Sequence, residues 1–375
     1  MFGIQIQLWR GISTLVGTTV GAGMLAIPVV VQTAGFWTGL IVILLVGLAV
    51  LLMNLMLGEV VLRTKGNHQL TGYAEKYLGK WGKQAMLVSM LVGIYGALIA
   101  YTLGEGASLA SLFGGNPAMW SGLFYIVMAG IIFKGLSVVE TSESWLSPLK
   151  IMLFVILVIF SIASGKLNTT NLSGFSASSL FIPYGVVLFA LLGTAAIPEI
   201  REETKKHWSN LKKVLIIGST IPIIIYLLFA IIVIGITGSQ TTEIATIGLS
   251  AVLGSTAGAL INAFAVIAMM TAFMALGLAL KEMFMFDYEF SRIKAFVAVV
   301  ALPVLALVIG LQSFAGMIGV AGAFAGGIDG VLIVLMFWRA KNKGERIPEY
   351  SLHTPFFIGV LLILMFILGA VYAFL

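Results

Sequence analysis

Gly17-Thr18-Thr19-Val20-Gly21-Ala22-Gly23-Met24-Leu25-Ala26-Ile27-Pro28 interrupts the first long apolar segment of the chain. Its glycines leave the backbone uncovered and Pro28 cannot donate a backbone hydrogen bond, so a helix through this stretch is weakened. Because lipid offers no partners to free peptide groups, such a break is stable only where it lines a cavity. Many secondary transporters build solute sites from broken helices. The alternative interpretation is a stripe of glycines that packs two continuous helices closely.

A second copy of this pattern lies in the other half of the chain. Residues 23–28 recur as Gly193-Thr194-Ala195-Ala196-Ile197-Pro198, again in the middle of an apolar segment. Paired interruptions at corresponding positions indicate an internal repeat with a site between its halves. We therefore expect both segments to be non-helical near the middle of the membrane and to lie beside each other.

The composition restricts the class of protein. Of the 375 residues, 60% are hydrophobic and 10% are charged, and the mean hydropathy is +1.10, which indicates an all-α integral membrane protein with one membrane domain. The absence of cysteine excludes disulfides, thiolate metal sites and cysteine nucleophiles. The three histidines lie in polar connectors, so histidine chemistry inside the membrane is also excluded.

Eleven apolar segments are candidates for membrane spans at about 20 residues per span. Spans one to five and six to ten form two repeats of opposite orientation, residues 8–165 and 180–338, and span eleven is an additional helix at 355–374. The predicted windows are 8–33, 36–62, 84–112, 118–134, 146–165, 180–200, 213–237, 254–281, 292–310, 313–338 and 355–374.

The distribution of basic residues predicts the orientation. With these spans, every lysine and arginine except Lys150 and Lys166 lies on the same side as the N-terminus. Because basic residues collect in cytoplasmic loops, the N-terminus is predicted to be cytoplasmic and the C-terminus extracytoplasmic. The net charge of +6 then reflects topology and does not indicate a nucleic-acid partner. We expect a multi-pass protein of the cell membrane.

The chain resembles the hydroxy and aromatic amino acid permeases, the tyrosine and tryptophan permeases among them, of the amino acid, polyamine and organocation superfamily. The resemblance rests on residues 17–28, Tyr95, Tyr101, Lys150, 218–222 and 271–273. It implies the LeuT-type fold of five plus five helices and proton-coupled amino acid uptake. Span six departs from the bacterial pattern: residues 189–200 look closer to the amino acid and auxin permease branch, and Thr194 stands where both branches usually carry histidine.

An amino acid zwitterion needs donors for its carboxylate and acceptors for its ammonium. The amides of Gly21, Ala22 and Gly23 begin the outer half of span one, where the helix dipole also favours an anion. Carbonyls around residues 189–192 end the outer half of span six and suit the ammonium. The predicted substrate site comprises Thr18, Gly21, Ala22, Gly23, Tyr101, Phe189, Leu192, Gly193 and Thr194. For its aromatic residues, ordinary core packing is the alternative.

Among the charged residues, Lys150 is the best candidate for the group that couples proton movement to transport. It lies inside span five, where an ammonium is costly unless it is neutralised or hydrated. Thr271 on span eight lies at a comparable or slightly greater depth. Sodium-coupled relatives in the superfamily that the chain resembles hold an ion here with carbonyls of span one and hydroxyls of span eight, so the resemblance implies that Lys150 and Thr271 form the proton-coupling pair. The alternative is a lysine that extends its stem to the cytoplasmic headgroups.

Four acidic residues also fall within or near spans. Glu59 and Glu199 lie beside arginines at the inner ends of their spans, which favours ion pairs or gate contacts. Glu105 in the outer third of span three and Asp329 in the inner half of span ten are secondary candidates for proton carriers. For both, a buried polar anchor is the alternative.

The sequence as a whole predicts a proton-coupled symporter that carries amino acids by alternating access. Neutral amino acids fit best, because the interrupted stretches carry no fixed charge; aromatic ones are included among the candidates. A sodium-coupled symporter or an exchanger is the alternative. We expect no enzymatic activity, cofactor or metal, because the chain has no catalytic serine or metal-binding motif. The expected partners are the amino acid, the proton and the lipid bilayer.

Overall fold

The structure is a computed structural model that describes residues 2–204, 208–286, 288–309 and 313–373. In these ranges the regular elements are helices. The α-helices are α1 (Phe2–Thr19), α2 (Ile27–Ala34), α3 (Phe36–Leu62), α4 (Leu70–Leu78), α5 (Lys80–Phe113), α6 (Pro117–Lys134), α7 (Leu136–Ala163), α8 (Tyr184–Leu191), α9 (Ile197–Glu203), α10 (Leu211–Thr237), α11 (Ala245–Leu253), α12 (Ser255–Phe286), α13 (Arg292–Val308), α14 (Phe314–Ala321), α15 (Gly327–Lys343) and α16 (Phe356–Tyr372).

Each of the eleven predicted windows holds helix. Spans one, six and ten are pairs of helices, α1 with α2, α8 with α9 and α14 with α15, and the other eight windows each hold one helix. Among the described residues, seven helical segments are long and apolar enough to cross a membrane, and the bent pair α1 and α2 is an eighth. The prediction of an all-α membrane protein is confirmed, and the inverted relation of the two repeats remains a prediction.

Three elements refine the sequence analysis. The connector between spans two and three contains the short helix α4. Helix α11 follows the polar loop after span seven and was not predicted, because nine residues are too few for a span and too apolar for a loop. Span ten contains a turn of π-helix over Gly322–Gly326, a feature that is frequent at functional sites.

The packing places spans one and six at the centre of the molecule. The first half of span one, α1, packs against α10 and α9, while α8 packs against α3, α14 and the π-helical turn. Helix α12 packs closely against α7 and α5. The turn that follows α1 contacts α8 and α12, so the interrupted part of span one packs against spans six and eight.

Candidate functional site at the two interrupted spans

Span one is broken inside the protein. Helix α1 ends at Thr19, a 3-10 turn runs over Ala22–Ala26, and α2 begins at Ile27. The segments on either side of the break are bent by 47°. Pro28 lies in the first turn of α2, where its missing amide hydrogen prevents the α-helical ladder from continuing back into the turn. The whole 3-10 turn is buried, so the break faces protein and not lipid.

Span six is broken in the same way. Helix α8 ends at Leu191, Leu192 is extended, a 3-10 turn covers Thr194–Ala196, and α9 begins at Ile197 with Pro198 in its first turn. Both copies of Gly-x-x-Ala-Ile-Pro therefore give a 3-10 turn followed by an α-helix that starts at isoleucine. The interruptions are where the sequence analysis placed them, but they are short 3-10 turns and not fully non-helical stretches.

The two breaks contact each other through their glycines. A Cβ atom on Gly23 would lie 3.0 Å from Cδ1 of Phe189 and 3.3 Å from Cα of Ala190. A Cβ atom on Gly193 would lie 2.7 Å from Oγ1 of Thr19. Real Cβ atoms essentially never come closer than 3.0 Å, so a side chain on Gly193 would force Thr19 or Leu15 to shift, and one on Gly23 would press tightly on Phe189 and Ala190. Glycine at both positions lets each break lie close to the other span.

Tyr226 on α10 joins the two breaks. Its hydroxyl lies 2.7 Å from the carbonyl oxygen of Thr19, at the end of α1, and 2.9 Å from that of Ala190, in the last turn of α8. Its side chain is fully buried. Sequence reasoning missed this residue, because nothing local to α10 shows that a tyrosine there reaches two segments so distant in the chain.

The backbone groups of the breaks are partly free for a ligand. The amides of Ala22 and Gly23 have no acceptor in the described part of the chain. The prediction for Gly21 needs correction, because its amide donates to the carbonyl of Thr19 at 2.9 Å. This bond closes a tight turn around Val20, so the carbonyl at the end of α1 is paired within its own segment. An incoming carboxylate would thus meet two unpaired amides instead of three.

On span six, the carbonyl of Phe189 accepts a bond from the amide of Leu192 at 3.2 Å. The carbonyl of Ala190 accepts a hydrogen bond from the hydroxyl of Tyr226. Of the carbonyls predicted to bind an ammonium group, those of Leu191 and Leu192 therefore remain available. Helix ends leave such carbonyls unpaired as a rule. The predicted acceptor set is therefore narrower than the sequence suggested.

The side chains predicted to line the pocket fall into two groups. Phe189 and Leu192 are half-buried, and Thr194 is buried within its 3-10 turn. Tyr101 is buried on α5. Phe189, Leu192 and Thr194 thus lie at the break of span six, and the place of Tyr101 in the pocket stays a prediction.

One side of the first break is open. Thr18 is exposed and its hydroxyl donates to the carbonyl of Thr14 at 2.8 Å. A Cβ atom on Gly17 or on Gly21 would meet nothing within 4 Å. By contrast, the residues from Ala22 to Ile27 are fully buried. The end of α1 is therefore open beside the break, whereas the turn that follows it is enclosed by protein.

The proposed coupling pair lies on neighbouring helices. Lys150 on α7 is half-buried, and α7 packs closely against α12, which carries Thr271. Thr271 is buried, and its hydroxyl donates within its own helix to the carbonyls of Ile267 and Ala268, at 2.9 and 3.1 Å. Because the hydrogen of this hydroxyl already bonds within α12, the hydroxyl could interact with Lys150 only by accepting a hydrogen bond from its ammonium group.

The two secondary acidic candidates have different surroundings. Glu105 on α5 is 1% exposed, and its Oε2 has no hydrogen-bond partner in the described part of the chain. Asp329 on α15 is also buried and accepts a bond from the hydroxyl of Ser89 at 2.6 Å. The same hydroxyl lies 2.7 Å from the carbonyl of Ala325, within the π-helical turn. Asp329 is thus anchored beside the irregular part of span ten, and Glu105 is not anchored by any described group.

The sequence analysis also missed a polar contact between spans two and seven. Asn54 on α3 donates from Nδ2 to the hydroxyl of Ser219 on α10 at 3.0 Å, and both are buried. Next to Ser219, a Cβ atom on Gly218 would lie 2.9 Å from Leu15 of α1. This contact therefore sits just behind the inner half of span one.

The inner ends of spans two and six differ from each other. Glu59 pairs with Arg63 at 2.8 Å, as the sequence suggested. Glu199, however, is exposed, and Arg201 instead donates to the carbonyls of Gly66 and Thr64 at 2.6 and 3.0 Å. The expected pair between Glu199 and Arg201 is therefore replaced by a buried arginine that holds the connector after α3.

A family model of the tryptophan/tyrosine permease family matches residues 5–373. The chain belongs to this family. Its curated relatives include Glutamine transporter 2 of Aliivibrio fischeri, which is 23% identical over 365 residues and 93% of each chain. Tyrosine-specific transport system 1 of Haemophilus influenzae is 26% identical over 88% of each chain, and Tyrosine-specific transport system 2 of the same organism is 24% identical over 94%.

The fold of this permease matches that of a solved protein. The crystal structure of MhsT in complex with L-phenylalanine superposes with a TM-score of 0.66 at 18% identity, over 96% of this chain and 98% of the other. The LeuT-type fold is thereby shown. Membership of the family makes the chain a multi-pass membrane transporter of the amino acid class and not an enzyme.

Proposed function

We propose that this permease takes up a neutral L-amino acid together with protons, by alternating access to a site between the two interrupted spans. The observation that carries the proposal is the pair of buried breaks in contact, with unpaired amides at Ala22 and Gly23 and no charged side chain in either break. Backbone dipoles at such breaks can hold both ends of a zwitterion without a fixed charge.

The proposed pocket gives each part of the substrate a place. The amides of Ala22 and Gly23 hold the carboxylate, and the carbonyls of Leu191 and Leu192 hold the ammonium. The side chain then points toward Phe189, Leu192, Thr194 and Tyr101, with Thr18 and Gly21 on the open side and Gly193 behind. The names of the relatives, which specify tyrosine and glutamine, support a neutral side chain.

Uptake by the purified protein in proteoliposomes tests this proposal. We expect labelled L-tyrosine or L-glutamine to accumulate when the vesicle interior is alkaline, and a sodium gradient at equal pH to give no accumulation. Tyramine, which lacks the carboxylate, is the matched probe and should neither enter nor compete. Sodium-driven uptake, or competition by tyramine equal to that by tyrosine, would contradict the proposal.

We assign proton coupling first to Lys150, with Thr271 as its acceptor neighbour. Lys150→Gln removes the exchangeable proton but keeps a polar side chain, so it should retain substrate exchange and lose accumulation driven by a pH gradient. Lys166→Gln is the control, because Lys166 lies in a loop where it donates to the carbonyl of Val252. Retained pH-driven accumulation in Lys150→Gln would move the assignment to Glu105 or Asp329.

A further inference from the structure

The π-helical turn of span ten lies directly behind the break of span six. This turn, Gly322–Gly326, packs against α8. A Cβ atom on Gly322 would lie 2.6 Å from Cβ of Phe189, and one on Gly326 would lie 3.1 Å from Cδ1 of Leu192. Phe189 and Leu192 are side chains of the proposed pocket. Glycines of span ten therefore back the pocket wall that span six contributes.

The two glycines differ in what they face. A Cβ atom on Gly322 would clash with the carbonyl oxygen of Gly185, so a side chain there would have to push two backbones apart. The nearest neighbours of a Cβ atom on Gly326 are side-chain atoms, Cδ2 and Cγ of Leu188 at 2.8 Å and then Cδ1 of Leu192. Movement of leucine side chains alone would thus make room for a methyl group on Gly326.

Of these two leucines, Leu192 has the freedom to move. The side chain of Leu188 is fully buried, whereas that of Leu192 is half-buried. Because a close-packed interior resists added volume, a displacement passes to the side chain that has free space beside it. In the proposed pocket, that space is where the substrate side chain lies. Volume added at Gly326 is therefore taken from the substrate.

We propose that Gly326 is a positioning residue that sets, through Leu192, the largest substrate side chain that the pocket accepts. The glycine lets Leu192 lie back against span ten and leaves the pocket room for a large side chain. The irregular turn thereby determines size selectivity without touching the substrate. The inference rests on the proposed function, which places the side chain of Leu192 in the pocket.

The test compares the unchanged protein with Gly326→Ala, Gly319→Ala and the double variant Gly326→Ala with Leu192→Val. Gly319 is the matched control: it lies on the same span, but a Cβ atom there would meet Val186 of α8 at an ordinary 3.5 Å. The double variant removes from Leu192 about the volume that the alanine adds. The probes are L-tryptophan, L-tyrosine, L-glutamine, L-valine and L-alanine. The rise of the melting temperature with amino acid concentration gives the apparent affinity of each purified protein.

We expect Gly326→Ala to weaken binding of the largest probe that the unchanged protein binds by about tenfold or more, because the displaced Leu192 overpacks the pocket. Binding of the smallest one should stay within about twofold. The double variant should regain the large probe, and Gly319→Ala should keep the profile of the unchanged protein. Equal weakening of large and small probes, or no recovery in the double variant, would overturn the inference.

Folding of the variants is itself informative. If Gly326→Ala cannot be purified, recovery of folded protein in the double variant supports the contact with Leu192, and failure of both contradicts it.

The outcome is separable from that of the proposed function. If no amino acid stabilises the unchanged protein, the proposed function fails and the inference fails with it. If amino acids stabilise the unchanged protein and Gly326→Ala has the same profile, the proposed function stands and the role of Gly326 is rejected.

Discussion

At the scale of single residues, Gly23 and Gly193 determine how closely spans one and six approach. A Cβ atom would lie 3.0 Å from Phe189 at Gly23 and 2.7 Å from Thr19 at Gly193, so a side chain at either position would have to displace a neighbour. Other glycines of the spans lie in open space: a Cβ atom on Gly130 of α6 would meet nothing within 4 Å. The same type of residue therefore has a different role at the breaks than on the outer helices.

This contrast gives a matched pair of substitutions. Gly23→Val should lower the apparent affinity for the amino acid at least tenfold, because the added carbons must displace Phe189 and the backbone of Ala190 from the pocket. Gly130→Val should leave affinity within about twofold, since only a close contact converts added volume into strain. Concentration dependence of uptake in proteoliposomes measures both. Unchanged affinity in Gly23→Val would remove this residue from the site.

The residue scale also shows which parts of the site the sequence could predict. Glycine and proline act on their own backbone, so Gly23, Pro28 and their repeat copies revealed both breaks. Tyr226 and Asn54 act across helices, and no local pattern indicates which distant group a buried hydroxyl or amide will meet. The amide of Gly21 was assigned to the substrate because its pairing with Thr19 depends on the geometry of the turn, which the residue types do not determine.

At the scale of elements, span ten is tied to span three next to its π-helical turn. The hydroxyl of Ser89 on α5 lies 2.6 Å from Asp329 and 2.7 Å from the carbonyl of Ala325. A π-helical turn leaves backbone groups out of the regular ladder. One serine thus supports both the irregular turn and the buried carboxyl group that follows it.

We expect Ser89→Ala to destabilise the protein by about 1–3 kcal/mol, because it leaves buried acceptors without a donor. Ser161→Ala on α7 is the control: Ser161 is equally buried, but its hydroxyl has no partner in the described part of the chain. Removing an unpaired hydroxyl should be neutral or slightly stabilising. Melting temperatures in detergent distinguish the two variants, and equal losses would show that the contact of Ser89 with span ten contributes nothing.

Hydropathy predicted the elements of the membrane domain well, because each span must be apolar over a length fixed by the bilayer. Hydropathy did not predict α11, because its nine residues form a helix that is too short to cross the membrane. It also gave no sign of the π-helical turn Gly322–Gly326, since small residues fit an α-helix equally well. The irregularities that the pattern misses are those that depend on a neighbouring helix.

At the scale of the whole molecule, the loop between α15 and α16 fastens to the inner end of α3. The buried carboxylate of Glu59 lies 2.8 Å from Arg63, 2.7 Å from Lys341 and 2.6 Å from the amide of Leu352. At the edge of this loop, the hydrogen bond from Lys76 holds the pKa of Glu345 below its ordinary value. The loop therefore connects the ends of spans two and ten on one side of the molecule.

Glu59→Gln should destabilise the protein by about 3 kcal/mol, because it leaves two cations beside a neutral group in a buried site. Glu75→Gln is the control, since its pair with Lys83 is about half exposed on both sides and exposed pairs contribute about 1 kcal/mol or less. A lower melting temperature is expected for the first variant only. If the two substitutions were equal in effect, the loop would not be a structural link between the spans.

The orientation of the whole molecule follows from its basic residues and can be measured directly, because the chain contains no cysteine. Ser291 lies before α13 in a loop that is predicted to be cytoplasmic, and Ser178 lies before α8 in a loop predicted to be outside; both are exposed. Ser291→Cys should react with a membrane-impermeant maleimide in inverted vesicles and not in intact cells. Ser178→Cys should show the opposite pattern, and the unchanged protein should not react on either side. Reversed labelling would contradict the predicted cytoplasmic position of the N-terminus.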